Sequence, residues 1–328
     1  MAKRTVTVAV ERFPTAGAFV ISRGSKTHVD VVTATVSEGG ATGRGEATAI
    51  YYLGETAEGL ADQIRAAAPL VEDGAARADL ITALPAGGAR KALDCALWDL
   101  EAKLAGTPVW SLIGLPRPQP ILTAYTISLG EPAVMEEAAR KAGRYELLKL
   151  KLSGEGDEER VAAVRRGAPH ARLIVDANEA WAKEDIEAKA AALQKLRVEL
   201  IEQPVPAGQD HLLDKVRSPV PLCADETIHD RETLGAAIGR YAFINIKLDK
   251  TGGLTEALAL AHAARLRGIE LMTGCMLSTS LGVAPAFYVG MQSRYVDLDG
   301  PLLLGADRDH PIRFDGSDMH PPSRELWG

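Results

Sequence analysis

The sequence predicts an α/β protein, a modified (β/α)8-type TIM barrel that follows an N-terminal α+β capping domain. From about residue 120 onward, eight short apolar runs alternate with stretches of helical periodicity, and buried strands that alternate with helices form parallel sheets. The first third of the chain has Val/Thr-rich alternation followed by helical patterns. No G-x-G-x-x-G motif follows the first barrel run, which weakens the alternative of an open dinucleotide-binding sheet.

The first third is predicted to be an antiparallel sheet followed by helices. Strands are expected over residues 5–12 and 29–37, where Val and Thr alternate with other residues. The glycine-rich segment 39–45 is expected to turn into a third strand. Helical periodicity covers residues 56–72 and 88–105.

The second part of the chain carries the barrel pattern. The predicted strands are 121–128, 147–152, 172–177, 199–203, 221–225, 242–248, 270–274 and 295–298. The helical stretches include 132–143, 157–167, 184–197, 231–239 and 254–267. Eight such units within residues 119–304 indicate a closed barrel. Residues 305–328 are polar and proline-rich, and we expect them to pack back on residues 1–118 and complete the capping domain.

Composition limits the classes of function. A net charge of 37 − 44 = −7 without a basic run argues against nucleic acid or an anionic membrane as the partner. The start resembles no signal peptide, and no apolar run approaches the ~18 residues of a membrane span. Cys95, Cys223 and Cys275 are odd in number and lie in apolar contexts, as reduced thiols of a cytoplasmic protein would. The expected partner is a small molecule, and the sequence leaves open whether the protein forms a homo-oligomer.

A lysine pair lies on the second predicted barrel strand. Lys149 and Lys151 are two positions apart, so their ammonium groups point to one side of the strand. Mutual repulsion and burial both disfavour the protonated form, so we expect lowered pKa values and a base that works near neutral pH. The alternative for an isolated pair is an edge strand with a solvated lysine face.

Three acids stand at equivalent points of the next three strands. Asp176, Glu202 and Asp225 are 26 and 23 residues apart, and the carboxyl ends of barrel strands meet at one end of the barrel. Converging carboxylates repel each other without a cation, and all-oxygen ligation suits Mg²⁺. A single acid at such a position is more often a helix cap. Three acids at the equivalent ends of three successive strands predict one Mg²⁺ per subunit.

Lys247, on the sixth predicted strand, is expected to face Lys151 across the barrel. An ion pair of Lys247 with Asp249 or Glu226 is the alternative, and it is compatible with a catalytic role. Two opposed lysines beside a metal predict removal of a proton alpha to a carboxylate and its return to the opposite face. The metal and Lys149 would stabilise the enediolate.

At these residues the chain resembles the muconate-lactonizing branch of the enolase superfamily. Six strand ends agree in order and spacing, and the resemblance covers essentially the whole chain. The matching segments are Lys149-Leu-Lys151, Asp176-Ala-Asn178, Glu202-Gln-Pro204, Ala224-Asp225-Glu226 and Asn245-Ile-Lys247-Leu-Asp249-Lys-Thr-Gly-Gly253. The resemblance implies a (β/α)7β barrel, and it places Asn178, Glu226 and Asp249 around the metal and lysine residues.

The eighth strand resembles the signature of the dipeptide-epimerase subgroup. In that subgroup the aspartates that correspond to Asp297 and Asp299 hold the free α-ammonium of a dipeptide, as carboxylates that accept charge-assisted hydrogen bonds. The alternative is a barrel-closing turn with solvated acids.

Other segments resemble enzymes of that subgroup that act on L-Ala-D/L-Glu. Residues 19–24 resemble the first specificity loop, in which Arg23 would pair with the side-chain carboxylate of the glutamyl residue. Cys275 and Met276 resemble the pocket floor and would set the room for the alanyl methyl, with plain core packing as the alternative. Thr126 is a further candidate donor at the end of the first strand.

Rival functions use the same scaffold. Cycloisomerisation of a muconate, or dehydration to o-succinylbenzoate, needs the same lysines and metal, but those substrates offer no ammonium to the aspartates. A sugar-acid dehydratase would more typically carry a histidine at a late strand end, whereas His262 and His310 are predicted elsewhere. A barrel that only binds metal or peptide would lack Lys151 or Lys247. We therefore expect a Mg²⁺-dependent epimerase of Ala-Glu from cell-wall (murein) peptides, with other dipeptides as the alternative.

Overall fold

An antiparallel sheet of three strands begins the chain in this computed structural model, which describes residues 3–21 and 24–328. Its strands are β1 (Thr5–Ile21), β2 (Gly24–Glu38) and β3 (Ala41–Thr48), in that spatial order. The first two are longer than the predicted segments, because pairing resumes after a register shift beyond Pro14 and continues to Ile21 and Gly24. Arg23 lies outside the described residues.

Helices cover one face of this sheet. They are α1 (Ala57–Glu72), α2 (Arg77–Ala83), α3 (Gly88–Ala105) and the short α4 (Val109–Leu112). Helix α3 packs directly on the backbone of β3, where a Cβ at Gly43 would lie 2.1 Å from the Ala96 carbonyl and one at Gly45 2.1 Å from that of Ala92. The glycine-rich segment therefore allows a close approach of strand and helix.

The second part of the chain forms a parallel sheet of eight described strands. They are β5 (Tyr125–Ile127), β6 (Leu147–Lys151), β7 (Arg172–Asp176), β8 (Val198–Glu202), β9 (Leu222–Ala224), β10 (Phe243–Lys247), β11 (Glu270–Gly274) and β12 (Tyr295–Asp297). The predicted run 121–128 is divided, because β4 (Ile121–Leu122) leaves the barrel and pairs with β14 (Asp318–Met319), the partner of β13 (Phe314–Asp315). The barrel with its capping sheet confirms the predicted fold class.

Helices connect the barrel strands. They are α5 (Pro132–Lys141), α6 (Asp157–Gly167), α7 (Ile186–Lys195), α8 (Leu248–Thr251), α9 (Leu254–Arg265) and α10 (Ser280–Gly290). The predicted helix 231–239 is a 3-10 turn, Thr233–Ala237. Helix α10 was not predicted, because every one of its residues is buried and it shows no polar face. Another 3-10 turn, Gly300–Leu303, follows β12 in place of an eighth helix, as a (β/α)7β barrel requires. Among the described residues, no helix is long and apolar enough to cross a membrane.

The barrel interior changes from apolar to polar along the strands. One side chain on or beside each strand forms an apolar layer. This layer comprises Ala124, Leu147, Ile174, Leu200, Cys223, Phe243, Met272 and Tyr295. Because side chains on a strand repeat every two residues, the next inward positions are Thr126, Lys149, Asp176, Glu202, Asp225, Asn245, Gly274 and Asp297. The second layer thus has polar or charged side chains at seven of its eight positions.

The C-terminal segment returns to the first domain. Arg308 donates to Glu11 at 2.6 Å and to the fully buried Glu46 of β3 at 2.8 Å. Glu46 also accepts from the backbone amide of Thr279, which precedes α10, at 2.9 Å. The Trp327 indole donates to the Cys95 carbonyl of α3 at 3.0 Å. These contacts support the division that we propose, with residues 1–118 and 305–328 in one domain and 119–304 in the other.

Candidate active site

The acidic triad lies at the carboxyl ends of three neighbouring strands. Asp176 ends β7 and pairs in register with Glu202, which ends β8, and Asp225 follows β9 directly. All three are buried, and one carboxylate oxygen from each lies within 4.8 Å of the others. Buried, converging, all-oxygen donors fit a hard divalent cation such as Mg²⁺.

Four lysines surround this triad. Lys149 Nζ lies 2.6 Å from Glu202 Oε2 and 2.6 Å from Asp297 Oδ2. Lys151 Nζ lies 2.6 Å from Asp176 Oδ2. The other two bind the opposite side of the triad. Lys247 Nζ lies 2.5 Å from Asp225 Oδ2 and Lys250 Nζ 2.6 Å from Asp225 Oδ1.

The neighbouring charges shift the acids in different directions. Burial and the carboxylate of Asp176 raise the pKa of Glu202 to about 8. Burial also opposes ionisation of Asp176, but Lys151 and Lys149 outweigh it and hold the pKa of this carboxyl at about 2. The pKa of Asp225 lies well below its usual value, because Lys247 and Lys250 outweigh burial. Without a divalent cation, lysine ammonium groups therefore balance the charge of the triad.

The same contacts change the expectation for the lysines. Burial alone would lower the pKa values of Lys149 and Lys247, and the sequence predicts a lowered pKa for the pair Lys149 and Lys151. The carboxylates of Asp297 and Glu202 instead raise the pKa of Lys149 well above its usual value, and Asp225 and Glu202 do so for Lys247. The prediction of a lowered pKa is thus wrong for Lys149 in the metal-free arrangement.

The lysines and the strand-eight acids line a common cavity. Lys151 on β6 and Lys247 on β10 are four strands apart in a barrel of eight, and both reach a cavity of about 40 Å³. The remaining lining residues are Thr126, Cys275, Met276, Leu277, Asp297, Asp299, Gly300 and Leu303. The structure therefore brings Thr126, Cys275 and Met276 to the lysines, as expected.

A glycine is needed at 274, because a Cβ there would lie 2.8 Å from Asn245 Oδ1.

Asp297 and Asp299 are buried acids on the inner side of β12 and the turn that follows it. Asp297 Oδ1 has no hydrogen-bond partner among the described residues. Asp299 Oδ2 accepts from the Thr126 amide at 2.6 Å. Burial and the neighbouring Asp297 raise the pKa of Asp299 to about 7. Two buried carboxylates with one open oxygen suit a cationic group of a ligand. The alternative of solvated acids in a turn does not describe this pair.

A family model described as "Enolase C-terminal domain-like" matches residues 133–324. A second, described as "Mandelate racemase / muconate lactonizing enzyme, N-terminal domain", matches residues 3–114. The chain belongs to the mandelate racemase/muconate lactonizing enzyme family of the enolase superfamily.

Two curated relatives in this family are similar over most of their length. The chain is 44% identical to the L-Ala-D/L-Glu epimerase of Escherichia coli K12 over 97% of this chain and 99% of the relative. It is 47% identical to the N-acetyl-D-glutamate racemase of a Pseudoalteromonas species over 76% of this chain and 79% of the relative.

Solved structures of family members are also similar. An enolase family member from Agrobacterium tumefaciens with homology to dipeptide epimerases, with bound sodium and L-Ala-L-Glu, has a TM-score of 0.97 and 47% identity and covers 99% of this chain and 100% of its own. A dipeptide epimerase from Enterococcus faecalis, complexed with Mg and L-Leu-L-Tyr, has a TM-score of 0.91 and 27% identity. The match covers 100% of this chain and 99% of that one.

Residues predicted to surround the site lie at different distances from it. The backbone amide of Asn178 donates to Asp176 Oδ1 at 2.9 Å. Glu226 is buried and follows Asp225 directly in the chain. Asp249 does not pair with Lys247 but with Lys91 of the capping domain, at 2.9 Å. The alternative that Lys247 pairs with Asp249 is thus wrong, because the Asp249 carboxylate points to the first domain.

Three residues near the triad were not predicted. Gln203 accepts through Oε1 from the Asp225 amide at 2.7 Å and so links two strand ends of the triad. The side-chain amide of Asn245 donates to Glu202 Oε1 at 2.8 Å, and the Lys250 ammonium donates to Asp225 Oδ1. All three lie in the family-like segments, but the local sequence does not indicate which strand end each would contact. Gln203 also has a positive φ of 36°, a conformation that proteins hold at functional sites.

Proposed function

We propose that this family member is a Mg²⁺-dependent dipeptide epimerase that acts on L-Ala-D/L-Glu, inverting the α-carbon of the C-terminal residue. One observation carries the proposal: two lysines on opposite sides of the barrel and two buried aspartates line one cavity beside the acidic triad. The lysines suit proton transfer on two faces, and the aspartates suit an ammonium group.

Asp176, Glu202 and Asp225 would hold the Mg²⁺. Their buried oxygens fit the ion, and enolase-superfamily sites use Mg²⁺ to stabilise an enediolate. When bound, the ion supplies positive charge beside the α-carboxylate and so acidifies the α-proton. The pKa values of Lys149 and Lys247 would then be raised less, because a bound cation would offset the carboxylates that raise them.

The remaining polar residues would orient the dipeptide. Asp297 and Asp299 take its α-ammonium, and Lys149, buried between the two acidic groups, neutralises its α-carboxylate. Thr126 lies at the same end of the cavity. Cys275 and Met276 border the space for the alanyl methyl. These roles, and that of Arg23 toward the glutamyl carboxylate, are part of the proposal.

Proton transfer falls to the two opposed lysines. One of Lys151 and Lys247 removes the α-proton from one face, and the other delivers a proton to the opposite face. Each ammonium is held by a different acid of the triad, Lys151 by Asp176 and Lys247 by Asp225. This fixes the two bases at separate positions, as inversion of the α-carbon requires.

The setting of the reaction is also proposed. Ala-Glu dipeptides arise in the breakdown of cell-wall peptides, which would deliver them to a cytoplasmic enzyme. The hairpin of β1 and β2 and the 3-10 turn Tyr51–Leu53 would exclude water from the cavity. A cation–π contact supports their association, because Lys26 Nζ lies 4.8 Å from the centre of the Tyr51 ring.

Racemisation of N-acetylglutamate is the second candidate, because a relative at 47% identity carries that activity. It would use the same lysines and acidic triad. An N-acetyl group carries no positive charge, however, and would offer no cation to Asp299 or to the unpartnered Oδ1 of Asp297. We therefore rank the dipeptide first.

Proton NMR in D₂O tests the proposal directly. We expect loss of the glutamyl α-proton signal of L-Ala-L-Glu with enzyme and Mg²⁺, and appearance of the L,D diastereomer. N-acetyl-L-glutamate and N-acetyl-D-glutamate serve as matched substrates without the ammonium group. Exchange of the N-acetyl compounds with none of the dipeptide would overturn the assignment and favour the second candidate.

A further inference from the structure

A buried ion pair connects the capping domain to the barrel. Lys91 lies on α3 of the first domain, and its Nζ is 2.9 Å from Oδ2 of Asp249 on α8. Both side chains are 1% exposed. A fully buried pair of this kind is costly unless its geometry and its other hydrogen bonds are good, so its position calls for an explanation.

A second group of the first domain binds the Asp249 carboxylate. The backbone amide of Thr48, the last residue of β3, donates to Asp249 Oδ1 at 2.9 Å. The Thr48 hydroxyl donates to the Leu277 carbonyl at 3.0 Å, and Leu277 lines the cavity. The capping domain thus binds the chain directly after β10 and the loop that follows β11.

The segment that carries Asp249 also carries the base Lys247. Helix α8 is a single turn that begins at the residue after Lys247, and Asp249 is two residues from the lysine. The next residue, Lys250, donates to Asp225 and to the Asn245 carbonyl, the latter at 3.1 Å. The turn is therefore fixed on one side by the barrel and on the other by Lys91 and Thr48.

We infer that Lys91 is a positioning residue for Lys247: through Asp249 it fixes the turn that aims this one base into the cavity. Lys91 and Asp249 do not line the described cavity, so the effect runs through the backbone of α8. The inference rests on the proposed function, because it requires Lys247 to act on one face of the substrate.

The two-base geometry makes the inference testable. A shift of α8 displaces Lys247, while Lys151 on β6 keeps its contact with Asp176. Proton removal from one epimer then slows, and removal from the other continues. A lysine ammonium carries three exchangeable hydrogens, so a single base can return deuterium to the face from which it took the proton. Exchange therefore reports each base separately.

The experiment measures initial rates of α-proton loss in D₂O, with saturating Mg²⁺, from L-Ala-L-Glu and from L-Ala-D-Glu. We expect Lys91→Met to change the ratio of the two rates by about tenfold or more, since small misplacements of a reacting group cost up to about a hundredfold. The matched control is Asp94→Asn, one turn later on α3. Asp94 accepts from the Thr255 amide across the same interface, at 3.0 Å, and among the described residues no ion pair joins it to α8. Its substitution should leave the ratio unchanged.

A second variant separates positioning from stability. Lys91→Met leaves Asp249 as a buried, unpaired carboxylate, whereas Lys91→Met/Asp249→Asn removes both charges and keeps an acceptor for the Thr48 amide. We expect the double variant to regain stability toward urea and to keep the altered ratio. An equal fall of both rates in Lys91→Met, or an unchanged ratio, would overturn the inference. If the unmodified enzyme exchanges neither epimer, the proposed function itself fails.

Discussion

Lys149 and Asp297 share a buried ion pair of 2.6 Å that joins the acidic triad to the strand-eight acids. The same ammonium lies 2.6 Å from Glu202 and 3.4 Å from Asp176. One cation thus serves carboxylates of two subsites. If the proposed subsites hold substrate and metal, the two binding events are electrostatically linked through this lysine.

Substitution of Lys149 by Met should make the protein depend on Mg²⁺ for stability. Removal of one partner from a buried ion pair costs about 3–5 kcal/mol, so the free energy of unfolding in EDTA should fall by that amount. Mg²⁺ replaces the missing charge and should raise the melting temperature more than in the unmodified protein. Lys91→Met is the control, because its ion pair is not in the triad. An equal response of both variants to Mg²⁺ would contradict this prediction.

Substitution of either base should abolish epimerisation without unfolding the barrel. Lys151→Ala and Lys247→Ala each remove a general base, whose contribution is about 10²–10⁴-fold in rate. In D₂O each variant should still exchange the α-proton of one epimer, and the two variants should prefer opposite epimers. Circular dichroism checks the fold. Near-normal epimerisation in either variant would refute the two-base mechanism.

Asp299 should give the reaction an acidic limb in its pH profile. Burial and Asp297 raise its pKa to about 7 in the free protein, so below that pH its carboxyl is protonated and binds the ammonium of the substrate poorly. For the dipeptide, kcat/KM should fall about tenfold per pH unit below 7. Asp299→Asn should lower kcat/KM at pH 8 by about tenfold to a hundredfold and flatten this limb. The exposed Asp309, substituted by Asn, should change neither quantity.

Asp94 should make the folding free energy depend on pH. Burial raises its pKa from 3.8 to about 6, despite hydrogen bonds from Thr255. Between these values the folded state binds more protons than the unfolded state, so this group makes the free energy of unfolding fall as pH rises from about 4 to 6, by up to about 3 kcal/mol. Urea unfolding of Asp94→Asn, whose side chain can still bond to Thr255, should lack this component. A parallel pH dependence in both proteins would contradict the assignment.

The sequence predicted the barrel and the main acids, because both depend on local patterns. Asp176, Glu202 and Asp225 each follow an apolar run of strand length, and the register of parallel strands then places such residues at one end. The alternating layers of the barrel follow from the same period of two residues. Helix α10 was missed for a related reason, since a helix buried on all sides has no periodicity to detect.

Residues that act across long separations in the chain could not be predicted. Lys91 lies 158 residues from Asp249, and nothing in the sequence around it indicates a partner so far along the chain. The predicted direction of the pKa shift was wrong for Lys149 for the same reason. The sequence shows Lys149 beside Lys151 on one strand, but the carboxylates that raise the pKa of Lys149 come from other strands.

The pair of Glu46 and Arg308 constrains the order of events during synthesis. These residues are 262 positions apart, so the ribosome makes strand β3 long before it makes the arginine. Until then, burial of the Glu46 carboxylate would lack its cation and cost several kcal/mol. N-terminal domains usually fold first during translation. Here the final packing of Glu46 has to wait until the barrel and residue 308 have been made.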